Sequence, residues 1–159
     1  MTNNLIYGLT LYSALGSALM AGVFFIFSNT VMPSLEELPA KQGIAAMQHI
    51  NRIILNPLFF MAFLGTAFTT LLLAVNHIWH WQQPNSQYLI LGCLCYLAGA
   101  LLVTMIFNVP MNNVLKAADP QTNVAADLWA TYLENWTFWN HVRAVASFFA
   151  AVIFTLALA

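Results

Sequence analysis

The chain is 159 residues long, 61% hydrophobic and only 6% charged, with a formal net charge of −1. Water-soluble domains carry charge at about a quarter of their positions, so the composition argues against a soluble globular fold and for one built in lipid. It shows no basic excess, and no nucleic-acid partner is expected. All the charged side chains lie in two stretches, Glu36–Arg52 and Lys116–Arg143, leaving residues 1–35 and 53–115 without Asp, Glu, Lys or Arg.

A helix needs about 20 apolar residues to cross a hydrocarbon core roughly 30 Å thick. The first such run covers residues 5–28. It has no basic segment ahead of it and is long enough to span, so it reads as a retained span, not a cleaved signal. Ala14, Ala18 and Gly22 share one face and suit close helix packing. The string Phe27-Ser28-Asn29-Thr30-Val31-Met32-Pro33 follows, and Pro33 is expected to stop the helix. A more polar helical excursion occupies residues 39–55. Asn56-Pro57 then breaks the helix ahead of the second span, residues 57–75, because proline disfavours helix at the residue before it. The turn over residues 76–87 is uncharged. Trp79, Trp81 and Tyr88 form an interfacial aromatic belt around it, and His77 and His80 read as interfacial residues beside them.

The third span covers residues 88–107. Cys93 and Cys95 lie two apart within it, point to nearly opposite sides and read as free thiols. Phe107-Asn108-Val109-Pro110-Met111-Asn112 ends it, with Pro110 again a stop. A second helical excursion, residues 120–139, leads into a last span over 140–159. The expected fold is all-α: one integral membrane domain over 1–159, a four-helix transmembrane bundle with two additional amphipathic helical segments on one membrane side. The two halves resemble each other, down to His49-Ile50-Asn51-Arg52 and Asn140-His141-Val142-Arg143, which suggests a two-fold internal repeat. All Lys and Arg fall on the side of the excursions, so the positive-inside rule makes that side cytoplasmic, in a bacterial inner membrane. Lipid and a hydrophobic small molecule are the expected partners, and an oligomer is open.

Polar side chains at the charged end of the bundle are few and aligned. His49, Arg52 and Asn56 stand at i, i+3 and i+7 on one helix face; Trp136, Asn140 and Arg143 stand at i, i+4 and i+7 on another. Asn108 and Asn112 lie four apart. If the halves pack as a pair, these faces meet in one pocket walled by Trp136, Trp139 and Phe107. Intramembrane polar residues of this kind face the bundle interior and mark function or a structural network. The plainer reading makes the asparagines helix caps and interhelical bonds, the tryptophans a second belt, and the arginines partners of Glu134 or Asp127. A metal site from His49, His141 and Glu134 is a further alternative, without a compact ligand motif behind it.

The strings Phe24–Pro33 (FFIFSNTVMP), Gln48–Pro57 (QHINRIILNP), Phe107–Asn113 (FNVPMNN) and Trp136–Arg143 (WTFWNHVR) resemble those of a family of small four-span membrane proteins that includes fungal anthrone oxygenases. That resemblance implies an oxygenase or oxidoreductase acting on an anthrone- or quinol-like aromatic. The substrate's acidic C–H gives a carbanion that reacts with dioxygen itself, so no cofactor is called for; a metal or haem stays open to an optical spectrum. On this reading His141 is the base, and Arg143 or Arg52 is the partner of the developing oxyanion. Asn51, Asn108, Asn112 and Asn140 are orienting donors, with His49 and Asn56 beside them, and Trp136 and Trp139 stack on the rings. The alternative is a non-enzymatic binding or transport protein, or an accessory subunit of a membrane complex.

Overall fold

The computed structural model describes residues 3–159, and among these every regular element is helical. Four helices are long and apolar enough to cross a membrane: α1 (Asn3–Glu36), α3 (Pro57–Trp79), α4 (Ser86–Ala117) and α5 (Asn123–Leu158). A shorter helix, α2 (Ala40–Ile53), lies between α1 and α3. At 1.5 Å per residue, the 34, 32 and 36 residues of α1, α4 and α5 measure about 50 Å each, well beyond a hydrocarbon core of roughly 30 Å. Their surplus length projects on the charged side. There, with α2, it builds a second core around Met32, Leu35, Ile44, Met47, Leu115 and Trp129. The second excursion is thus the first turns of α5, one helix with the last span.

Local sequence accounts for the helix boundaries. Asn56 is extended (ψ 164°) and its Oδ1 accepts from Phe59 N at 3.1 Å, which caps α3 at the proline. Thr122 caps α5 in the same way through Ala125 N. Asn85 takes a left-handed φ of 63° ahead of α4, a conformation asparagine tolerates better than most residues.

Pro33 and Pro110 do not stop their helices. Each follows a π-helical turn, Phe27–Val31 in α1 and Thr104–Asn108 in α4. In these turns Met32 N reaches back to Phe27 O and Val109 N to Thr104 O. The backbone that a proline ring would strike is already widened, so the helix runs on. The two prolines thus share a local arrangement, although α4 carries a further π segment, Leu97–Leu102, that α1 lacks.

Within the spans, α1 packs most closely against α5. The α1–α3 approach is set by Gly16 against Thr66 and by a 2.9 Å hydrogen bond between Ser13 and Thr69. The Ala18 and Gly22 face expected to do this is exposed along a lipid-side groove. Trp79, Trp81 and Tyr88 are exposed, as a belt requires. His77, at the same end of the span, is buried, with Nδ1 2.9 Å from Ser86 Oγ, because the turn folds α4 back over it. Both cysteines are free thiols.

Gly43 is where α2 meets its neighbours. A Cβ there would lie 2.9 Å from Leu35 O and 2.9 Å from the Trp129 ring, both held in the charged-side core. Gly43→Ala should therefore destabilise the protein by about 1–3 kcal/mol through overpacking. An unchanged thermal unfolding midpoint in detergent would contradict that packing.

Candidate functional site

Where α1, α4 and α5 converge below the charged-side core, the bundle leaves a narrow cleft of about 80 Å³. α5 supplies Trp136, Asn140 and Arg143, whose i, i+4, i+7 spacing puts them on one face. α4 supplies Thr104, Asn108 and Asn112, spaced four apart through the π turn. α1 supplies Val23, Phe24 and Phe27 as an apolar wall. Asn51, Ile54, Leu55 and Phe59 close it from the link between α2 and α3.

Arg143 is the deepest charge, 5% exposed. Its Nη2 donates to Asn140 Oδ1 and its Nη1 to Thr104 Oγ1 at 3.2 Å. The guanidinium carbon lies 4.3 Å from the centroid of the Phe24 ring and 5.1 Å from that of Trp136. No carboxylate lines the cleft. Cation–π contact offsets a few kcal/mol at most, about 2 in a desolvated setting, against a penalty of several kcal/mol for burying an ion. The charge is left partly uncompensated.

Three buried polar atoms on the same walls have no hydrogen-bond partner: Arg143 Nε, Trp136 Nε1 and Asn108 Oδ1. Two are donors and one an acceptor. Buried polar groups are nearly always paired; Ser17, Asn76, His77 and Ser147 carry further unpaired atoms, but only on residues of the cleft wall do three occur together.

The asparagines frame this centre. Asn140 donates through Nδ2 to Phe24 O at 2.6 Å and to Ser28 Oγ, so its carbonyl is aimed at Arg143. Asn108 donates to Trp136 O at 3.2 Å. Tyr132 donates to Asn112 Oδ1 at 2.8 Å and receives a long bond from Asn51 Nδ2 at 3.4 Å. Asn51 and Asn112 thus form a polar neck. On its other side lies a second, open pocket of about 450 Å³, lined by His49, Arg52 and Lys116. Arg52 donates to His49 Nδ1 at 2.8 Å.

The sequence-derived grouping is therefore split in three. Arg143, Asn140, Asn108, Asn51, Asn112 and Trp136 meet in the cleft; Arg52 and His49 stand outside it, in the vestibule. His141 is in neither. It is exposed, in a groove across α5 with Glu36, Glu134 and Thr137. Residues two apart on a helix diverge by about 200°, and Arg143 holds the inward direction. Trp139 does not wall the cleft but stacks on Phe107, with ring centroids 3.6 Å apart. Asn56 is the helix cap already described. His49 lies apart from His141 and Glu134, and among the described residues no three His, Cys, Asp or Glu side chains are gathered to hold a metal ion.

Thr104, Phe24, Ser28 and Tyr132 were missed. A signal existed for two of them: Thr104 precedes Asn108 by four, and Tyr132 precedes Trp136 by four on the face that carries Asn140 and Arg143. Phe24 and Ser28 contribute a carbonyl and a hydroxyl, which no pattern of charge or aromaticity marks.

A family model described as anthrone oxygenase matches residues 46–153. The chain belongs to the anthrone oxygenase family. It is an integral membrane protein of that family, and the matched stretch contains every cleft residue contributed by α4 and α5, together with Asn51. The α1 wall lies outside it. Neither the curated proteins nor the solved structures include a match.

Proposed function

We propose that this protein is a membrane oxygenase that converts an anthrone-like polycyclic phenol into its quinone with dioxygen, and that Arg143 is the residue on which the reaction turns. Loss of a proton from the methylene carbon of an anthrone makes a delocalised anion with its charge on the phenolate-like oxygen. That anion is electron-rich enough to reduce dioxygen directly; a carbon–oxygen bond forms at the former methylene to give a hydroperoxide. Loss of water leaves the second carbonyl, so one CH2 and one O2 become one C=O and one H2O. The protein's part is to favour the anion and hold its rings.

The observation that carries this reading is the buried, carboxylate-free guanidinium of Arg143 with its unpartnered Nε, beside the unpartnered Trp136 Nε1. A preorganised cation and N–H donor in an apolar cleft stabilise a developing oxyanion far better than water does. Phe24, Phe27 and Trp136 supply an aromatic wall for flat rings, and a substrate of this kind partitions into the bilayer. The cleft lining includes no imidazole or carboxylate, so Arg143 acts by acidifying the substrate, and the proton leaves to water through the neck. The charged side is assigned to the cytoplasm.

The test is oxygen uptake by purified protein in nanodiscs with 1,8-dihydroxyanthrone, followed with the anthraquinone absorbance. Uptake well above the spontaneous rate, with one anthraquinone formed per dioxygen, supports the reading. Tight binding of the anthrone without accelerated uptake would make the protein a binder and not an oxygenase. His141→Ala should leave the rate unchanged, since that ring sits on the other side of α5; a loss as deep as that of an Arg143 variant would return His141 to the site.

A further inference from the structure

The uncharged end of the bundle holds a separate open pocket of about 410 Å³, between the start of α1, the α3–α4 turn and the end of α5. Its walls include Ile6, Thr10, His77, Asn85, Leu89 and Leu158, and no Asp, Glu, Lys or Arg lines it. Two of these polar side chains are already bonded within the bundle. Thr10 Oγ1 donates to Ile6 O at 2.8 Å, and Asn85 Nδ2 donates to Ala157 O at 3.2 Å. His77 differs. It is 2% exposed, and its Nε2 is buried without a hydrogen-bond partner. Buried polar atoms are nearly always paired, so one left open on a pocket wall points to something that pairs with it.

The neighbouring bonds fix what Nε2 can do. Ser86 Oγ donates to His80 O at 3.2 Å, which uses the one proton that hydroxyl has. His77 Nδ1, 2.9 Å from the same Oγ, therefore carries a proton and donates it. With no carboxylate in the lining to pair an imidazolium, the ring is neutral. Nε2 is then a bare lone pair, an acceptor. Since Nδ1 is turned to Ser86, this acceptor is what the ring presents to the pocket.

That chemistry selects the occupant. An anion finds no cation in the lining and is repelled by the lone pair. A metal ion finds one imidazole nitrogen and neither a carboxylate nor a thiol. A neutral O–H donor on an apolar body satisfies both Nε2 and the walls of Ile6, Leu89 and Leu158. The depth agrees: Trp79, Trp81 and Tyr88 are exposed beside the turn and mark the headgroup level, where an amphiphile keeps its hydroxyl.

We infer that this pocket binds an uncharged, hydroxyl-bearing amphiphile of the bilayer, whose O–H donates to His77 Nε2. Ser86 is the positioning residue, because its bond to Nδ1 sets the tautomer that makes Nε2 an acceptor. The site is at the opposite end of the bundle from Arg143 and does not depend on the oxygenase reading.

The probes are 4-octylphenol and 4-octylanisole, which carry a proton and a methyl group on the same oxygen. Binding is read on the full chain in phosphatidylcholine nanodiscs, labelled with 15N-histidine, from the Nε2 resonance of His77. The variant His77→Gln assigns that resonance by removing it. The phenol should move it at about fivefold lower concentration than the anisole, the worth of one net hydrogen bond. Ser86→Ala should erase the preference, because the ring is then free to carry its proton on Nε2, and a donor there serves phenol and ether alike. The comparison on the unaltered protein stands by itself if that variant does not fold. 1-Decanol separates the two sources of such a hydroxyl: a response equal to the phenol's supports the site and assigns it to aliphatic alcohols, and none supports the site and assigns it to phenols. Equal affinity for phenol and anisole, an unmoved His77 resonance, or a preference unchanged in folded Ser86→Ala would overturn the inference.

Discussion

Arg143→Met should lower the rate of anthrone oxygenation by about 10²–10³-fold, the size seen when a preorganised oxyanion partner is removed. The same variant should fold as well as the unaltered protein, or better. A buried ion without a countercharge is a burden on stability, and an apolar side chain of similar length commonly removes it without loss. Met keeps the stem that packs between Phe24 and Trp136. What it gives up is two charge-assisted bonds, to Asn140 and Thr104, each worth about 1.5–3 kcal/mol. The two effects offset. Loss of turnover with an unchanged unfolding midpoint therefore separates a functional arginine from a structural one. A variant that unfolds, or one that turns over normally, contradicts the assignment.

Asn140→Leu should be the most destabilising change in the cleft, at about 3–5 kcal/mol. Asn140 is fully buried and serves three partners at once: Phe24 O, Ser28 Oγ and the Arg143 guanidinium. Leucine satisfies none of them. It leaves a carbonyl and a hydroxyl of α1 unpaired and strips the buried cation of its strongest contact. The bond to α1 also ties the wall of the cleft to α5, so turnover should fall with stability. Combining Asn140→Leu with Arg143→Met should recover part of the loss, because the orphaned charge is then absent and the two changes are not additive. Thermal unfolding of the three variants in one detergent checks this. An Asn140→Leu protein as stable as the parent would show that the hydrogen bonds to Phe24 and Ser28 carry no weight.

The four spans, the helical excursions and the polarity of one end were legible because lipid imposes a coarse rule: apolar runs of sufficient length, with charge expelled to the ends. Asn56 as a break followed from the proline after it. Pro33 and Pro110 misled, because proline's effect on a helix depends on whether the preceding turn is α or π, and residue type alone does not report that. On α5, the spacing of Trp136, Asn140 and Arg143 placed these three correctly. His141 was added for its chemistry although the same helical geometry turns it nearly opposite to Arg143. Trp139 failed for a similar reason, its ring being taken up by Phe107. The vestibule was out of reach, since it depends on how α2 folds back against α4, a contact carried by Gln48 reaching the carbonyls of Leu115 and Ala118.

The most direct test of the Arg143 site is a structure with a hydroxyanthraquinone bound in a lipid nanodisc. The rings should lie between Phe24, Phe27 and Trp136, with a ligand oxygen within hydrogen-bonding distance of Arg143 Nε. Density for the ligand in the groove beside His141 and Glu134, with the Arg143 cleft unfilled, would contradict it.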